Sequence, residues 1–341
     1  MDANIARVAA ACRAHGVAWR PHLKGQKVPE LAHRQIAAGA IGVTCAKLGE
    51  AEVMAAAGIR DILIANQIVG PAKIERLVAL ARRANVIVTV DSAENLEAIS
   101  AAAIAHAVRP RAVIEVDIGM RRAGVAPGEA AVALARQAMN SPGVEFAGFE
   151  AWEGHAVAIS DPVQKQRAVV TAVTSLTDTA AMCRSRGIPV KIVSCGGTGT
   201  YAISAALPGV TEIQAGGAIF GDVRSRDAFG LDFSPALTVL TTVTSRPTPY
   251  RIICDAGRKS LSNDYSAPEP LGVSSVRSLR LASEHAILEL DEADETLRVG
   301  DKIELVVGYG DTTVHLHDEM HGVRDGQVEV VWTIAARGRS R

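Results

Sequence analysis

The residues best equipped for chemistry come early, in Trp19-Arg20-Pro21-His22-Leu23-Lys24, followed by Gly25, Gln26 and Lys27. An apolar run over 16–19 gives way there to a cluster of polar groups. A lysine on a partly apolar wall loses its proton more readily, because desolvation disfavours the charged form, and the free amine attacks carbonyl carbon. Lys24 is therefore a candidate Schiff-base nucleophile; the alternative is a solvated surface lysine with two basic neighbours. Pro21 has no N–H to give a sheet, so strand pairing is expected to stop there. A second group of candidates is glycine-rich: Gly196-Gly197-Thr198-Gly199-Thr200 and Gly216-Gly217-Ala218. Backbone amides in such turns can cradle phosphate; the alternative is a flexible turn.

Both groups fall at the ends of strand-like runs. Short β-branched runs recur at 17–20, 41–45, 61–65, 86–90, 112–116, 146–151, 190–194 and 212–214, separated by alanine-rich amphipathic segments such as 27–38, 48–57, 71–83, 93–106, 127–139 and 163–186. Continuous apolar runs of about four to six residues suit parallel strands buried on both faces. Eight of them alternating with helices predict a (β/α)8 TIM-type barrel. The other α/β solution, an open doubly wound sheet, would need a Gly-rich turn after the first strand, and residues 19–24 have none. After about Asp222 helical periodicity fades and strand-like runs take over at 236–245, 250–255, 276–282, 286–289, 302–307 and 328–335. The expected division is a barrel over 1–228 and a C-terminal all-β domain over 229–341.

A barrel places its chemistry at the carboxyl ends of the strands. Those ends carry Arg20, His22 and Lys24, then Lys47, Asn66 and Gln67, Asp91, Asp117, Trp152-Glu153-Gly154-His155, and finally the two glycine segments. Phosphate is often held after strands seven and eight, where the glycines are. A phosphate site on one side of a pocket and an amine on the other suit a phosphate-bearing aldehyde, of which pyridoxal phosphate is the obvious one.

Composition removes other classes. A net charge of −1, with 36 basic residues spread along 341, gives no electrostatic reason for nucleic acid or an anionic membrane as partner. No apolar run reaches the roughly 20 residues of a membrane span, and no signal-peptide pattern opens the chain. Five cysteines (Cys12, Cys45, Cys183, Cys195, Cys254), odd in number and without C-x-x-C spacing, point to reduced thiols in a cytoplasmic protein.

The chain also resembles the fold-type III pyridoxal-phosphate enzymes, and within them the D-threonine aldolase and D-serine dehydratase group. The matching segments are RPHLKGQK, GVTCAKLGEAEVMAAAGIRDILIANQIVGPAKI, IEVDIGMRRAGVAPGEA, VEFAGFEAWEGH, VSCGGTGTY, CDAGRKSLSND and GDTTVHLHDE, in order over nearly the whole chain. The resemblance implies an alanine-racemase-like barrel with a C-terminal β-domain, assembled as a homodimer, and one more strand upstream of Met1. It implies a lyase acting on 3-hydroxy-D-amino acids, by retro-aldol cleavage or by elimination, with Lys24 forming the internal aldimine. Arg122 would lie near the cofactor ring hydroxyl, His155 would join Lys24 and Arg122 as a catalytic residue, and His22 and Trp152 would flank the cofactor. Gly196, Gly197, Thr198, Gly216 and Gly217 would hold the phosphate.

Several positions depart from the group's pattern. Gly25 and Gln26 replace a threonine and a histidine, Trp152 replaces a tyrosine, and Val157 and Ala158 follow His155 where the aldolases have glutamine and histidine. The group holds a divalent cation, Mn or Mg, through a histidine and an aspartate or cysteine; here Tyr309 and Asp311 occupy those positions. Tyrosine is a poor ligand for such ions at neutral pH, since the phenol must first ionise. The string His315-Leu316-His317-Asp318-x-x-His321 offers other ligands, although His315 and His317 are expected to share one face of a strand. The competing readings are a metal-independent racemase, with Lys24 and either Tyr309 or Tyr265 as bases, and a non-catalytic cofactor carrier.

Overall fold

The computed structural model describes residues 1–341. The eight runs form parallel strands β1 (Ala18–Trp19), β2 (Val43–Cys45), β3 (Asp61–Gln67), β4 (Asn85–Val90), β5 (Arg111–Glu115), β6 (Glu145–Glu150), β7 (Ile192–Cys195) and β8 (Glu212–Ile213), paired in the order β1-β8-β7-β6-β5-β4-β3-β2. The open edges of β1 and β2 meet. Ile41 N–H donates to the Trp19 carbonyl at 2.9 Å, Leu23 N–H to that of Thr44 at 2.8 Å, and His22 bridges Thr44 in parallel register. The expected barrel is therefore present. Pairing does not stop at Pro21, however. Its carbonyl accepts from Thr44 N–H at 2.9 Å, and His22 N–H donates to the Gln214 carbonyl at 2.9 Å. Successive residues of a parallel strand address alternate neighbours, so a proline removes one donor on one side and leaves the other ladder intact.

The helices are α1 (Asp2–Ala14), α2 (Pro29–Ala37), α3 (Leu48–Ala56), α4 (Pro71–Ala81), α5 (Ala93–Ala105), α6 (Glu129–Asn140), α7 (Pro162–Ser185) and α8 (Tyr201–Ala205). Local chemistry fixes their starts. Proline opens α2, α4 and α7, where a missing N–H costs nothing. The Ser92 hydroxyl takes Asn95 N–H at 3.2 Å at the head of α5, and Asp161 takes Gln164 N–H at 2.7 Å at the head of α7.

The strand interior is layered, because residues two apart along a strand share a face. At the amino end Arg20 pairs with Glu212 at 2.9 Å and with Asp61, which also receives Arg111 at 2.9 Å. Above this charged layer lie Leu63, Ile87, Val113, Ala147 and Ile192, all buried together. Two residues further on, Ile87 gives way to Thr89, Val113 to Glu115 and Ile192 to Ser194. Glu150 joins this upper polar layer three residues after Ala147, because the β5–β6 register shifts between Ala112 and Val113.

Two compact units divide at 216/217: Ala6–Gly216 with Ala335–Arg341, and Met1–Ile5 with Gly217–Ile334. The texture change had pointed to a junction near 228. The second unit contains α9 (Val223–Asp227), β9 (Thr238–Thr248), β10 (Arg251–Cys254), β11 (Glu269–Pro270), β12 (Val276–Leu281), β13 (Ala286–Leu290), β14 (Lys302–Val306), α10 (Gly310–Thr313), β15 (Glu319–Arg324) and β16 (Gln327–Thr333). Its six-stranded sheet runs β11-β14-β9-β10-β13-β12, all antiparallel, around a core including Val243, Ile252, Leu261, Leu288 and Leu305. The β15–β16 hairpin turns at Asp325-Gly326, both with φ near +50 to +75°, which twists the right way for a tight hairpin.

Candidate active site

Lys24 emerges from the carboxyl end of β1, just past the His22–Thr44 bridge, and is half-buried. Its Nζ lies 5.0 Å from the centroid of the Trp152 ring, and the guanidinium carbon of Arg122 lies 5.4 Å from the same ring. Trp152 follows β6, and glycines make room for it. A Cβ at residue 154 would stand 2.7 Å from the far edge of the indole, and one at residue 197 would stand 2.7 Å from its Nε1. The indole thus forms a wall shared by the two cations that the chain places there.

The charges around this wall are ordered from behind. Arg122 Nη2 is 3.6 Å from Glu115 Oε1, and Gln67 donates to the other oxygen of Glu115 at 2.6 Å. Asp117 accepts from Gly119 N–H at 3.0 Å and Arg121 N–H at 2.9 Å, while Asp91 accepts from Gly124 N–H at 3.1 Å. Two aspartates at strand ends therefore shape the loop that carries Arg122. The backbone N–H of Arg121 holds the Asp117 carboxyl below its ordinary range. His22 accepts Lys24 N–H on Nδ1 at 3.3 Å. Burial, and then the charges of Lys24, Lys27 and Arg122, push its pKa well below the usual imidazole value. His22 is thus a neutral ring with its proton on Nε2.

The segment after β7 is held by the strand-end carboxylate of Glu153, which residue type and position alone left without a role. Glu153 is fully buried and accepts from Thr200 Oγ1 and Ser204 Oγ, both at 2.6 Å, and from Gly196 N–H at 3.4 Å. Thr200 Oγ1 in turn accepts Gly197 N–H at 3.1 Å. The relay ties 196–200 to the strand end that carries Trp152. On the neighbouring strand end, past β8, Gln26 donates to the Gly216 carbonyl at 2.8 Å, and a Cβ at 216 would lie 2.0 Å from the His22 carbonyl oxygen. Only glycine lets β8 leave so close to the lysine segment.

The sequence model described as "Alanine racemase, N-terminal domain" matches residues 1–224, and a serine dehydratase domain model matches 236–323. The D-threonine aldolase of an Arthrobacter species is 38% identical over 343 residues, covering 100% of this chain and 90% of that one. The chain belongs to the alanine racemase N-terminal domain family. Among solved structures, D-threonine aldolase from Filomicrobium marinum superposes with a TM-score of 0.95 at 34% identity, covering 99% of this chain and 92% of the other. The D-threo-3-hydroxyaspartate dehydratase from Delftia sp. HT23 gives a TM-score of 0.87 at 29% identity, covering 98% and 94%. A cysteine-to-alanine variant of a D-threo-3-hydroxyaspartate dehydratase is known in a metal-free form.

In this member of the alanine racemase N-terminal domain family the residues present fit pyridoxal phosphate. Lys24 supplies an amine and Arg122 a cation on the same wall, and Gly197 brings the turn after β7 against the indole edge, where a Cβ would not fit. Of the expected residues, the first unit brings together Lys24, His22, Arg122, Trp152, Gly196, Gly197 and Gly216. Thr198 is half-buried in the turn after β7, and Gly217 opens a 3-10 turn, Gly217–Phe220, in the second unit.

His155 is exposed. A Cβ at Gly119 would lie 2.7 Å from its ring, so it packs on the loop that bears Arg122. It also lines a cavity of about 430 Å³ with Asp117, Pro127, Arg167 and Thr171.

Tyr309 and Asp311 do not fit a divalent cation. The Tyr309 hydroxyl donates to Asp311 Oδ2 at 2.9 Å, and burial, then the Asp311 charge, push the phenol well above its ordinary pKa. His315 and His317 do not share a strand as expected. His315 lies in a 3-10 turn, Val314–Leu316, and His317 closes it with Nε2 2.8 Å from the Ser260 carbonyl.

Proposed function

We propose that this chain is a pyridoxal-phosphate-dependent lyase that cleaves 3-hydroxy-D-amino acids between Cα and Cβ, as the D-threonine aldolases it is similar to are named for doing. The observation carrying this reading is the half-buried Lys24 amine at the carboxyl mouth of a (β/α)8 barrel, on one aromatic wall with Arg122. Pyridoxal phosphate, when bound, supplies the electron sink that weakens bonds at the substrate Cα.

The chain's own residues do the rest. Lys24 Nζ is the amine that anchors the aldehyde carbon. Arg122, backed by Glu115, holds negative charge in place on the ring side. Trp152 keeps water from the amine and limits its motion. His22, neutral, adds a donor at Nε2 without adding a third cation to Lys24 and Arg122. Gly196, Gly197, Thr198, Gly216 and Gly217 serve the phosphate, and His155 supports the Arg122 loop.

The setting is part of the proposal. All five cysteines are unpaired and buried, which suits a reducing cytoplasm, and the working form is a homodimer. Reduction with borohydride followed by peptide mass analysis should place the cofactor adduct on Lys24, and D-threonine should yield glycine and acetaldehyde. Pyruvate and ammonia from D-serine would instead assign elimination. A cofactor band that no amino acid perturbs would overturn the lyase reading in favour of a carrier.

A further inference from the structure

The second unit contains a cluster whose chemistry runs against a property implied by the resemblance. Arg224 in α9 stacks its guanidinium 3.7 Å from the Tyr265 ring centroid and 4.5 Å from that of Tyr309. The two tyrosines meet edge to face at 5.3 Å. Asp222 accepts Gly310 N–H at 2.8 Å and Ser225 N–H at 2.9 Å, which fixes the backbone between Tyr309 and Asp311. The Tyr309 phenol then donates its proton to Asp311 at 2.9 Å.

We propose that the Arg224–Tyr309–Asp311 cluster is a closed, charge-compensated substitute for a divalent-cation site, and that this chain works without a bound Mn²⁺ or Mg²⁺. Three independent features carry this. The Tyr309 oxygen, where a ligand's lone pair would have to face the ion, instead directs its proton at Asp311 Oδ2, and a phenol that keeps its proton is a poor ligand for hard cations. Arg224, always charged, is already the positive group held against the aromatic faces. No three His, Cys, Asp or Glu side chains converge where an ion could replace the missing histidine. His317 spends Nε2 on the Ser260 carbonyl, and His321, on β15, approaches only Glu319, at 3.9 Å.

The test uses the full chain loaded with pyridoxal phosphate and Mn²⁺ as probe, with free ion followed by electron paramagnetic resonance. Wild type should show no saturable site after chelator treatment, and Tyr309→His should gain one ion per chain. Wild type binding one equivalent of Mn²⁺ overturns the proposal. If neither protein binds Mn²⁺, the phenol is not what keeps the ion out, and the proposal fails as well. The activity arm rests on the lyase reading: cleavage of D-threonine by wild type should be unchanged by EDTA, whereas Tyr309→His should become EDTA-sensitive. The binding arm does not depend on turnover, so failure of the lyase reading leaves it intact.

Discussion

The residue that most exposes how this site is built is Glu150, at the carboxyl end of β6 in the upper layer of the barrel. Its carboxylate is buried and accepts from the Thr89 hydroxyl and from Gln214 Nε2 at 3.0 Å. Burial, and then the neighbouring Glu115 carboxylate, raise its pKa from 4.5 to about 7, partly offset by those two hydrogen bonds. Glu115 faces Arg122 Nη2 at 3.6 Å, and Glu150, deeper in the barrel, is the carboxyl that burial pushes up. An unfolded chain releases this proton near pH 4.5 and the folded chain only near 7. The stability contributed by Glu150 is therefore complete below 4.5, falls as pH rises through that window, and is lower by on the order of 3 kcal/mol above it. Glu150→Gln keeps the shape and removes the titration. Its melting temperature should match wild type near pH 4 and exceed it by several degrees near pH 8.5. Parallel melting curves for the two proteins across that range would show that Glu150 ionises normally.

At the scale of elements, the alternation of apolar runs and amphipathic segments was enough to read all eight barrel strands and most helices, because each signal is local. The contents of the pocket were legible only where residue type and strand end coincide, as at Lys24, Trp152 and the glycines. The roles of Glu153, although it stands at a strand end, and of Glu115 were not, since they depend on which strands lie side by side, and Glu153 meets partners 43 to 51 residues away. Strand β15 escaped because it is largely exposed and has no apolar alternation to detect. Glu153 also carries a prediction for the loop it organises. Glu153→Gln leaves the size unchanged but replaces one acceptor with a donor facing Thr200 and Ser204, so the 196–200 segment should loosen. Titration by absorbance should show pyridoxal phosphate bound roughly tenfold more weakly, the loss of about one charge-assisted hydrogen bond, and pyridoxal without its phosphate bound as in wild type. Equal weakening for both ligands would mean that Glu153 supports the fold and not the phosphate loop.

Across the whole barrel the interior changes character from floor to mouth: charged, then apolar, then polar. The mouth must be polar to do chemistry, but the floor has no such reason. There Arg20, 2% exposed, is shared between Glu212 and Asp61, and Asp61 also takes Arg111 and Asn85 Nδ2, each at 2.8 to 2.9 Å. The network runs from Arg20, just past β1, to β8, β3, β4 and β5, so it joins strands on both sides of the β1–β2 closure. Buried ion pairs gain little net stability over apolar side chains of the same volume, yet leaving one partner alone is costly. Glu212→Leu alone should therefore lower stability by about 3 kcal/mol, because Arg20 keeps only its bond to Asp61, and Arg20→Met alone should cost a similar amount. The double variant should recover most of that loss, since neither charge then remains to be compensated at that pair. Urea unfolding monitored by far-ultraviolet circular dichroism measures all three. If the double variant loses the sum of the two single losses, the floor contributes real net stability and the pairing is more than a device for strand register. If it recovers while borohydride still traps the cofactor on Lys24, the charged floor serves to select which strands meet at the seam, and the mouth is built independently of it.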